Sequence, residues 1–491
     1  MSPRAAIIAV CCALLSASAA YFMTRPVAHK TAAPAGASAL TDALQAGVHR
    51  VAIADGTGGA RSITLDPATN LWLLEPADAG GRTWPVSTEA VRGFLRLLAD
   101  AAKQPTDAGL ERPKNALAIT VHRPPGPPIE LLVGRDAVAG RVVLAEGASG
   151  PVRRVDVSLR DVLINAPLDE WRTSALVPRT PAEPGRIVVE SGGRRLELQR
   201  TRGAWSVLLP VPSHADADTA GRLLAGIQSL NAARLLPAGG APQITNPTAL
   251  IRLVSHPPQA AGTTEQFVQE VLLGGPADAE NKTFFCSARA EWQGARGSQP
   301  RPAWGPVTAT IPREAIESLV RDPGAYISKR AVPSTAADAS RLVLSRDTES
   351  LDLATQLVPA GVRAPRDLTF ARDPLGSWLS ARGSEIPAAA TDRQRTAAAA
   401  LLRLLCETDA TRVLTDVDAA AGATAAARIE VGSSAASPLA VVGIGTVQGV
   451  GAEDNASGAV VVRTGRVWRI YESPQARELI RWISDELPPE G

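Results

Sequence analysis

Three copies of one pattern, a tryptophan followed by a short amphipathic helix, constrain the fold of this chain more than any other feature. The tryptophans are Trp72, Trp205 and Trp378. The helices are predicted around Val91–Ala102, Ala220–Leu230 and Ala397–Thr408. In all three helices the apolar residues recur at i, i+3, i+4 and i+7, which places them along one face. The repetition predicts three similarly folded units, and none of the copies carries a recognisable set of catalytic groups.

The chain also aligns with itself at the joints between the copies. The segment that begins at Trp171 matches the segment that begins at Tyr326 without a gap, at an offset of 155 residues. Each segment is a proline-containing linker followed by an alternating strand pattern, so each marks the entry to a new unit. The predicted units are residues 45–178, 179–333 and 334–491.

The third copy is longer than the second. Trp378 lies 173 residues after Trp205, which exceeds the offset at the linkers. We therefore expect an inserted loop in the third unit, around Gln356–Asp367.

Each unit is predicted to have an α+β fold. Two strands form a hairpin, the second of which leads to the tryptophan, and several strands and a last short helix follow the principal helix. We expect a mainly antiparallel sheet of about six strands, covered by the principal amphipathic helix and the smaller one. The predicted N-caps of the principal helices are Ser87, Asp218 and Thr391, the last with Gln394 three residues later.

The three tryptophans are interpreted as core residues. A buried aromatic ring removes a large apolar area from water, and the amphipathic helix supplies the cover that one face of a sheet needs. Stacking of a tryptophan against a ligand is the alternative.

Residues 1–30 are predicted to be a membrane anchor or a signal segment. The run at residues 5–24 carries no charge and is 20 residues long, which just spans a hydrocarbon core of about 30 Å. We favour a retained transmembrane helix, and a cleaved signal peptide is the alternative because Ala17-Ser18-Ala19 resembles a processing site. Residues 31–44 form an Ala/Pro-rich tether.

The composition indicates which class of partner is not expected and what kind of genome encodes the chain. The formal net charge is only +2, so no basic face for nucleic acid is indicated. The preference for arginine over lysine, with abundant Ala, Gly and Pro, is typical of a GC-rich bacterial genome. With the N-terminal segment, this predicts a single-pass protein of the bacterial inner membrane, with most of the chain in the periplasm, or a secreted protein after signal cleavage.

No residue pattern predicts a catalytic, cofactor or metal site. The histidines are single and scattered: His29, His49, His122, His214 and His256. The glycine series from Gly443 to Gly451 is followed by a strand pattern and not by a helix, so it is interpreted as a hairpin loop and not as a dinucleotide site. Cys286 and Cys406 are expected to be unpaired buried thiols, and a disulfide between them is the alternative.

The chain resembles the uncharacterised family called domain of unknown function 4340. The resemblance rests on the N-terminal segment, on Trp72…Pro76 and Trp205…Pro210 ahead of Leu-rich helices, and on the strand ends Val133-Gly134 and Leu273-Gly274. The third unit departs from the pattern, because no proline follows soon after Trp378. Some members of the family are encoded beside ABC-type transport or gliding-motility components, which implies an extracytoplasmic accessory role without established catalytic residues.

Two functions follow as expectations. The first is a non-catalytic, membrane-anchored scaffold or accessory subunit of an envelope or ABC-type transport assembly, bound to a protein partner. The second is a periplasmic binding module for a cell-wall polymer or a small ligand. An enzyme whose site is assembled from dispersed residues is a third and weaker alternative.

Overall fold

The computed structural model describes most of the three units. The described residues are 47–54, 60–75, 83–124, 126–165, 168–236, 242–256, 265–294, 299–317, 319, 321–346, 367–373, 375–383, 385–415, 423–433, 438–447 and 459–487. Apart from the turn Ala68–Asn70, the described residues up to Arg172 form one compact body, and those from Thr173 form another. The first unit is therefore one body, and the second and third units together are the other.

The first unit is an antiparallel sheet of eight strands with two helices. Its strands are β1 (Arg50–Ala54), β2 (Ala60–Asp66), β3 (Leu71–Leu74), β4 (Trp84–Pro85), β5 (Ala116–His122), β6 (Ile129–Gly134), β7 (Arg141–Glu146) and β8 (Val152–Asp156). Its helices are α1 (Thr88–Ala102) and α2 (Ser158–Asn165). The strands lie in the order β4-β3-β2-β1-β5-β6-β7-β8.

The second unit has nine strands in the same arrangement. They are β9 (Pro184–Ser191), β10 (Arg194–Thr201), β11 (Ala204–Leu209), β12 (Ser213–His214), β13 (Arg234–Leu235), β14 (Ala249–Ser255), β15 (Gln266–Pro276), β16 (Thr283–Gln293) and β17 (Arg301–Pro312). Its helices are α3 (Ala217–Gln228) and α4 (Arg313–Glu317). The strand order is β12-β11-β10-β9-β14-β15-β16-β17-β13.

The third unit repeats this nine-stranded sheet. Its strands are β18 (Arg341–Ser345), β19 (Leu368–Arg372), β20 (Trp378–Arg382), β21 (Ala388–Ala389), β22 (Arg412–Leu414), β23 (Ala423–Gly432), β24 (Pro438–Val447), β25 (Ala459–Thr464) and β26 (Val467–Tyr471). Its helices are α5 (Asp392–Cys406) and α6 (Pro474–Glu486). The order is β21-β20-β19-β18-β23-β24-β25-β26-β22.

All three sheets are built in the same way. The first four strands run outward from the centre to one edge, and the principal helix follows. In the first unit the chain then returns to the centre beside its first strand, whereas in the second and third units it first adds a short strand, β13 or β22, at the opposite edge. The prediction of three antiparallel α+β units is confirmed, but six strands per sheet was too few. The missed strands are mostly two or three residues long at the sheet edges, which is too short to show an alternating pattern.

The apolar stripes of the principal helices lie in the cores. The buried helix residues include Val91, Phe94 and Leu98 in α1, Ala220, Leu223 and Ile227 in α3, and Ala398, Leu401 and Leu405 in α5. In the first unit this stripe packs against inward-facing strand residues such as Val51 and Ile119. The predicted cover of one sheet face is thus confirmed.

The repeated tryptophan fixes where the helix begins. Trp72, Trp205 and Trp378 are all buried, as predicted. In each unit the tryptophan carbonyl also accepts a hydrogen bond from the residue just before the helix cap. The donors are the backbone N–H groups of Val86 at 2.8 Å, Ala215 at 3.1 Å and Ala390 at 3.0 Å. The strand that carries the tryptophan therefore holds the helix start through its backbone as well as through its ring.

This hydrogen bond corrects one predicted cap. Ser87 and Thr391 cap their helices as expected. In the second unit, however, the cap is Asp216, whose side chain accepts a hydrogen bond from the Thr219 N–H at 2.8 Å, and Asp218 lies in the first turn. Asp216 is the cap because it directly follows Ala215, which the Trp205 carbonyl holds in place.

The N–H of each cap residue is satisfied in one of two ways. The Ser87 N–H donates to the carbonyl of Trp171 at 2.7 Å, and the Asp216 N–H donates to that of Tyr326 at 2.8 Å. Trp171 and Tyr326 are the residues at which the two linkers align. In the third unit the Thr391 N–H donates to the Gln394 side chain at 3.1 Å, which completes the predicted capping box. The backbone carbonyl of the first residue of each linker thus accepts a hydrogen bond from the helix cap of the unit that precedes the linker.

Several predictions concern residues outside the described ranges. Residues 5–24 and 31–44 lie outside the described residues, as does nearly all of the predicted insertion, of which only Asp367 is described. Among the helices of the described residues, none has the length and apolar character needed to cross a membrane.

Candidate interaction surface

The described histidines do not converge on one site. Among the described residues, no group of three or more His, Cys, Asp or Glu side chains is placed to hold a metal ion. His49 and His122 lie on adjoining segments of the first unit, where the His49 N–H donates to the His122 carbonyl. His214 is half-buried on β12, and His256 is exposed after β14, while His29 lies outside the described residues.

Cys286 and Cys406 are unpaired and buried, as expected. Cys286 is on β16, and burial raises the pKa of its thiol to about 12. Cys406 ends α5, and burial raises the pKa of its thiol to about 11. Because the thiolate is the reactive form of cysteine, neither side chain is prepared to act as a nucleophile near neutral pH.

The described part of the glycine series lies on a strand. Gly443 and Gly445 lie within strand β24, and the next described element is strand β25. The remaining glycines, Gly449 and Gly451, lie outside the described residues. The backbone of β24 therefore does not provide the helix N-terminus that binds a pyrophosphate.

A cleft of about 240 Å³ lies in the first unit, beside the C-terminal half of α1 and the start of α2. Two of the residues that line it are acidic, Asp100 and Asp156. Asp100 pairs with Lys103, and hydrogen bonds from Ser158 lower the pKa of Asp156. Both carboxylates thus have local partners, and the cleft offers little chemistry.

A cluster of ion pairs lies on the face of the second sheet that points away from its core. Inward positions of β9, β10, β14, β15 and β16 are buried and, apart from Ser255 and Gln269, apolar, and the alternate positions point outward. We call the outward group the arginine face. Its members are Arg186, Arg195, Arg252, Arg289, Glu190, Glu197 and Glu270.

Strand register brings these side chains together. One row across five strands pairs Glu197 with Val188, Val188 with Arg252, Arg252 with Glu270, and Glu270 with Arg289. Val188 is buried although it faces outward. Apolar stems of long arginine side chains commonly cover such positions while their charged ends stay in water.

Each buried carboxylate of the arginine face binds two guanidinium groups. Glu197 contacts Arg186 at 2.7 Å and Arg195 at 3.1 Å, and the side chain of Glu197 is 6% exposed. Glu270 contacts Arg252 and Arg289 at 2.6 Å each, and its side chain is 5% exposed. The four arginine side chains are 37–45% exposed. Glu190 also contacts Arg195, at 3.1 Å, and its side chain is 43% exposed. The carboxylates of Glu197 and Glu270 are therefore buried, and four guanidinium groups reach solvent together with one exposed carboxylate.

The first unit carries a smaller version of this arrangement. Arg50 of the first unit, which aligns with Arg186, pairs with Glu75 at 2.8 Å. Burial alone would raise the pKa of Glu75, but hydrogen bonds from Ser62 and Thr64 and the charge of Arg50 outweigh it, so that the pKa is lowered. The two-armed pairing of one carboxylate is thus most developed in the second unit.

Sequence reasoning missed the arginine face, although a signal was present. Arg186 aligns with Arg341 at the offset of 155 residues, and charged residues alternate with apolar ones along β9 and β10. The alternation was used to predict strands, but cross-strand partners depend on register, which the sequence does not state.

Comparison of the chain with models of known protein families, with curated proteins and with solved structures gives no match. The resemblance to domain of unknown function 4340 therefore stays a prediction.

Proposed function

We propose that this protein is a non-catalytic, membrane-anchored scaffold or accessory subunit of a bacterial envelope or ABC-type transport assembly. In this proposal the uncharged run at residues 5–24 holds the chain in the inner membrane, and the three units project into the periplasm. The second unit binds a protein partner through the arginine face.

The observation that carries the proposal is the separation of charge on the arginine face. Glu197 and Glu270 lie beneath the guanidinium groups, so an approaching surface meets four oriented guanidinium groups and one exposed carboxylate, that of Glu190. Arginine is enriched at protein interfaces, and ordered side chains lose less entropy on binding than mobile ones. The partner surface that fits this face is acidic.

Site-specific photocrosslinking tests the binding face without disturbing an ion pair. Ser287 points outward on β16, two residues from Arg289, and Arg222 lies on the exposed side of α3. A photoreactive amino acid is placed at Ser287 or, as the matched control, at Arg222, and cells are irradiated before membrane extraction. We expect a protein adduct from Ser287 and none from Arg222, with a yield that falls at high salt because exposed charges are screened.

Three outcomes count against the proposal. An adduct of equal yield from both positions would show that the arginine face is not the docking surface. A chain that is released from membranes by alkaline carbonate and begins after residue 24 would show that the anchor is cleaved. A clean monomer without an adduct, whose melting temperature (Tm) rises with a cell-wall glycan, would favour the binding module, since ligands stabilise only a protein that binds them.

A further inference from the structure

One inward-facing position on the last long strand of each sheet differs between the units. Strand register identifies this position in two steps. An apolar residue followed by glycine pairs with a residue on the next strand, and that residue pairs in turn with the position in question. The apolar-Gly steps are Val133-Gly134, Leu273-Gly274 and Ile444-Gly445. Their strand neighbours are Leu144, Cys286 and Val462. The residues at the position are Arg153, Ala309 and Arg469.

In the first two units the charge at this position is balanced or absent. Arg153 is 1% exposed and forms an ion pair with Glu146, which is 5% exposed. The Nε of Arg153 also donates to the Gln104 carbonyl at 3.0 Å. In the second unit the residues at the two corresponding places are Ala309 and Ala288, both fully buried. A buried ion pair and an apolar pair are both accepted by this fold.

The third unit keeps the cation but not the carboxylate. Arg469 is 1% exposed, and Thr464 stands where the first unit has Glu146. The Arg469 guanidinium donates to the Ser328 carbonyl at 3.0 Å and to the Thr464 hydroxyl at 3.3 Å. Burial lowers the pKa of Arg469 only to about 10, so the group stays charged at neutral pH. Within the described residues Arg469 forms no ion pair, and an unpaired charge in a protein interior is strongly unfavourable.

A second donor lies beside this cation. Tyr471 is two residues further along β26 and therefore faces the same way. It is 2% exposed, and its hydroxyl has no hydrogen-bond partner within the described residues. Burial raises the pKa of Tyr471 to about 12, so it keeps its proton. A buried tyrosine hydroxyl usually finds a partner, and the partner that suits both groups is an acceptor with negative charge.

We propose that the third unit binds a small monovalent anion beside the Arg469 guanidinium, in the place that the Glu146 carboxylate takes in the first unit. Threonine is shorter than glutamate and has no carboxylate, so Thr464 leaves that place to an external group. The anion is the size of formate or a halide ion, and the Tyr471 hydroxyl donates to it. This inference does not depend on the proposed scaffold function.

His214 provides a direct readout of this site. Its backbone carbonyl accepts a hydrogen bond from the Ser328 N–H at 2.9 Å, and Arg469 binds the carbonyl of the same serine. Burial, and then the charge of Arg469, lower the pKa of the His214 imidazole. An anion at Arg469 offsets that charge, so its binding raises the pKa of His214.

The experiment uses the full chain and two anions in separate arms. Sodium formate or sodium bromide is titrated while ionic strength is held constant with sodium gluconate, whose anion is far larger. The pKa of His214 is followed by NMR of the labelled imidazole, and Tm is followed in parallel. We expect a saturable rise of both quantities. Formate alone identifies a carboxylate ligand, bromide alone identifies a halide, and both support a site without selectivity.

Two variants make the test decisive. Thr464→Glu supplies the carboxylate within the chain, so it is expected to remove the response to anions while Tm stays at or above that of the parent. Glu146→Thr copies the third unit into the first, and it is expected to add a second anion response in amide exchange of β8. The proposal is overturned if neither anion acts on the parent protein, or if Thr464→Glu responds as the parent does.

Discussion

The buried ion pair of the first unit gives the sharpest prediction about stability. Replacing Glu146 by leucine removes the carboxylate and leaves the Arg153 guanidinium buried, with the Gln104 carbonyl as a partner. Replacing Arg153 by methionine in the same chain removes the charge as well. The pair of variants separates the cost of an unpaired charge from the worth of the ion pair itself.

The expected losses of stability follow from the burial of both side chains. Removing one partner of a buried ion pair destabilises a protein by about 3 to 5 kcal/mol, because the remaining charge stays out of water. Replacing both partners by apolar residues of similar volume is often neutral. The double variant also loses the hydrogen bond to the Gln104 carbonyl, worth about 1 kcal/mol. We therefore expect the single variant to lose most of this stability and the double variant to recover all but about 1 to 2 kcal/mol.

Native-state hydrogen exchange of peptides from β7 and β8 measures this effect. It reports the free energy of opening locally, which matters because a chain of several units need not unfold in one step. Glu130→Leu, at an exposed position of β6, is the control, and it is expected to change the opening free energy by less than about 0.5 kcal/mol. A single variant with parental stability, or a double variant no more stable than the single one, would refute the reasoning.

Three further predictions concern single side chains. Thr391→Ala breaks the capping box and is expected to destabilise the start of α5 by about 1 kcal/mol, seen as faster amide exchange there. Cys286 and Cys406 are expected to resist iodoacetamide at pH 8 in the folded chain and to react once it is unfolded, since burial raises the pKa of both thiols. In the folded chain the pKa of His214 lies below its ordinary value of 6.5, so on acidification this imidazole takes up a proton at a higher pH in the unfolded chain than in the folded one. Stability should then fall as pH drops below 6.5, which urea unfolding at several pH values measures, and Arg469→Met should weaken that slope.

The architecture could be predicted because it is repeated. The helical periodicity occurs three times, and the segments that begin at Trp171 and Tyr326 align without a gap. A helix or strand pattern that is weak in one copy could therefore be recognised from the other copies. The same alignment did not reveal what the two aromatic residues do. Their carbonyls bind the cap N–H groups of the units that precede them, and this depends on backbone geometry that residue type does not encode.

The candidate surfaces could not be predicted because they depend on register. Glu270 and Arg289 are 19 residues apart in the chain, and only the pairing of β15 with β16 places them opposite each other. A shift of one residue would send one of them to the core face. Alternation of charged and apolar residues therefore predicted strands correctly but not the arginine face.

Arg469 occupies a position at which the three units differ. A buried cation without a carboxylate is unfavourable, and the second unit shows that this fold accepts alanine at the same position. The fold therefore does not require the charge. The hydrogen bond from Arg469 to the Ser328 carbonyl is a structural use for the side chain, but Arg153 makes the same kind of bond to Gln104 and still has Glu146. What distinguishes the third unit is Thr464 in place of that glutamate, together with a Tyr471 hydroxyl that has no hydrogen-bond partner among the described residues. If the third unit only had to avoid a buried charge, an apolar residue such as the alanine of the second unit would be more favourable than arginine. An arginine without the glutamate is the arrangement that binding of an anion requires.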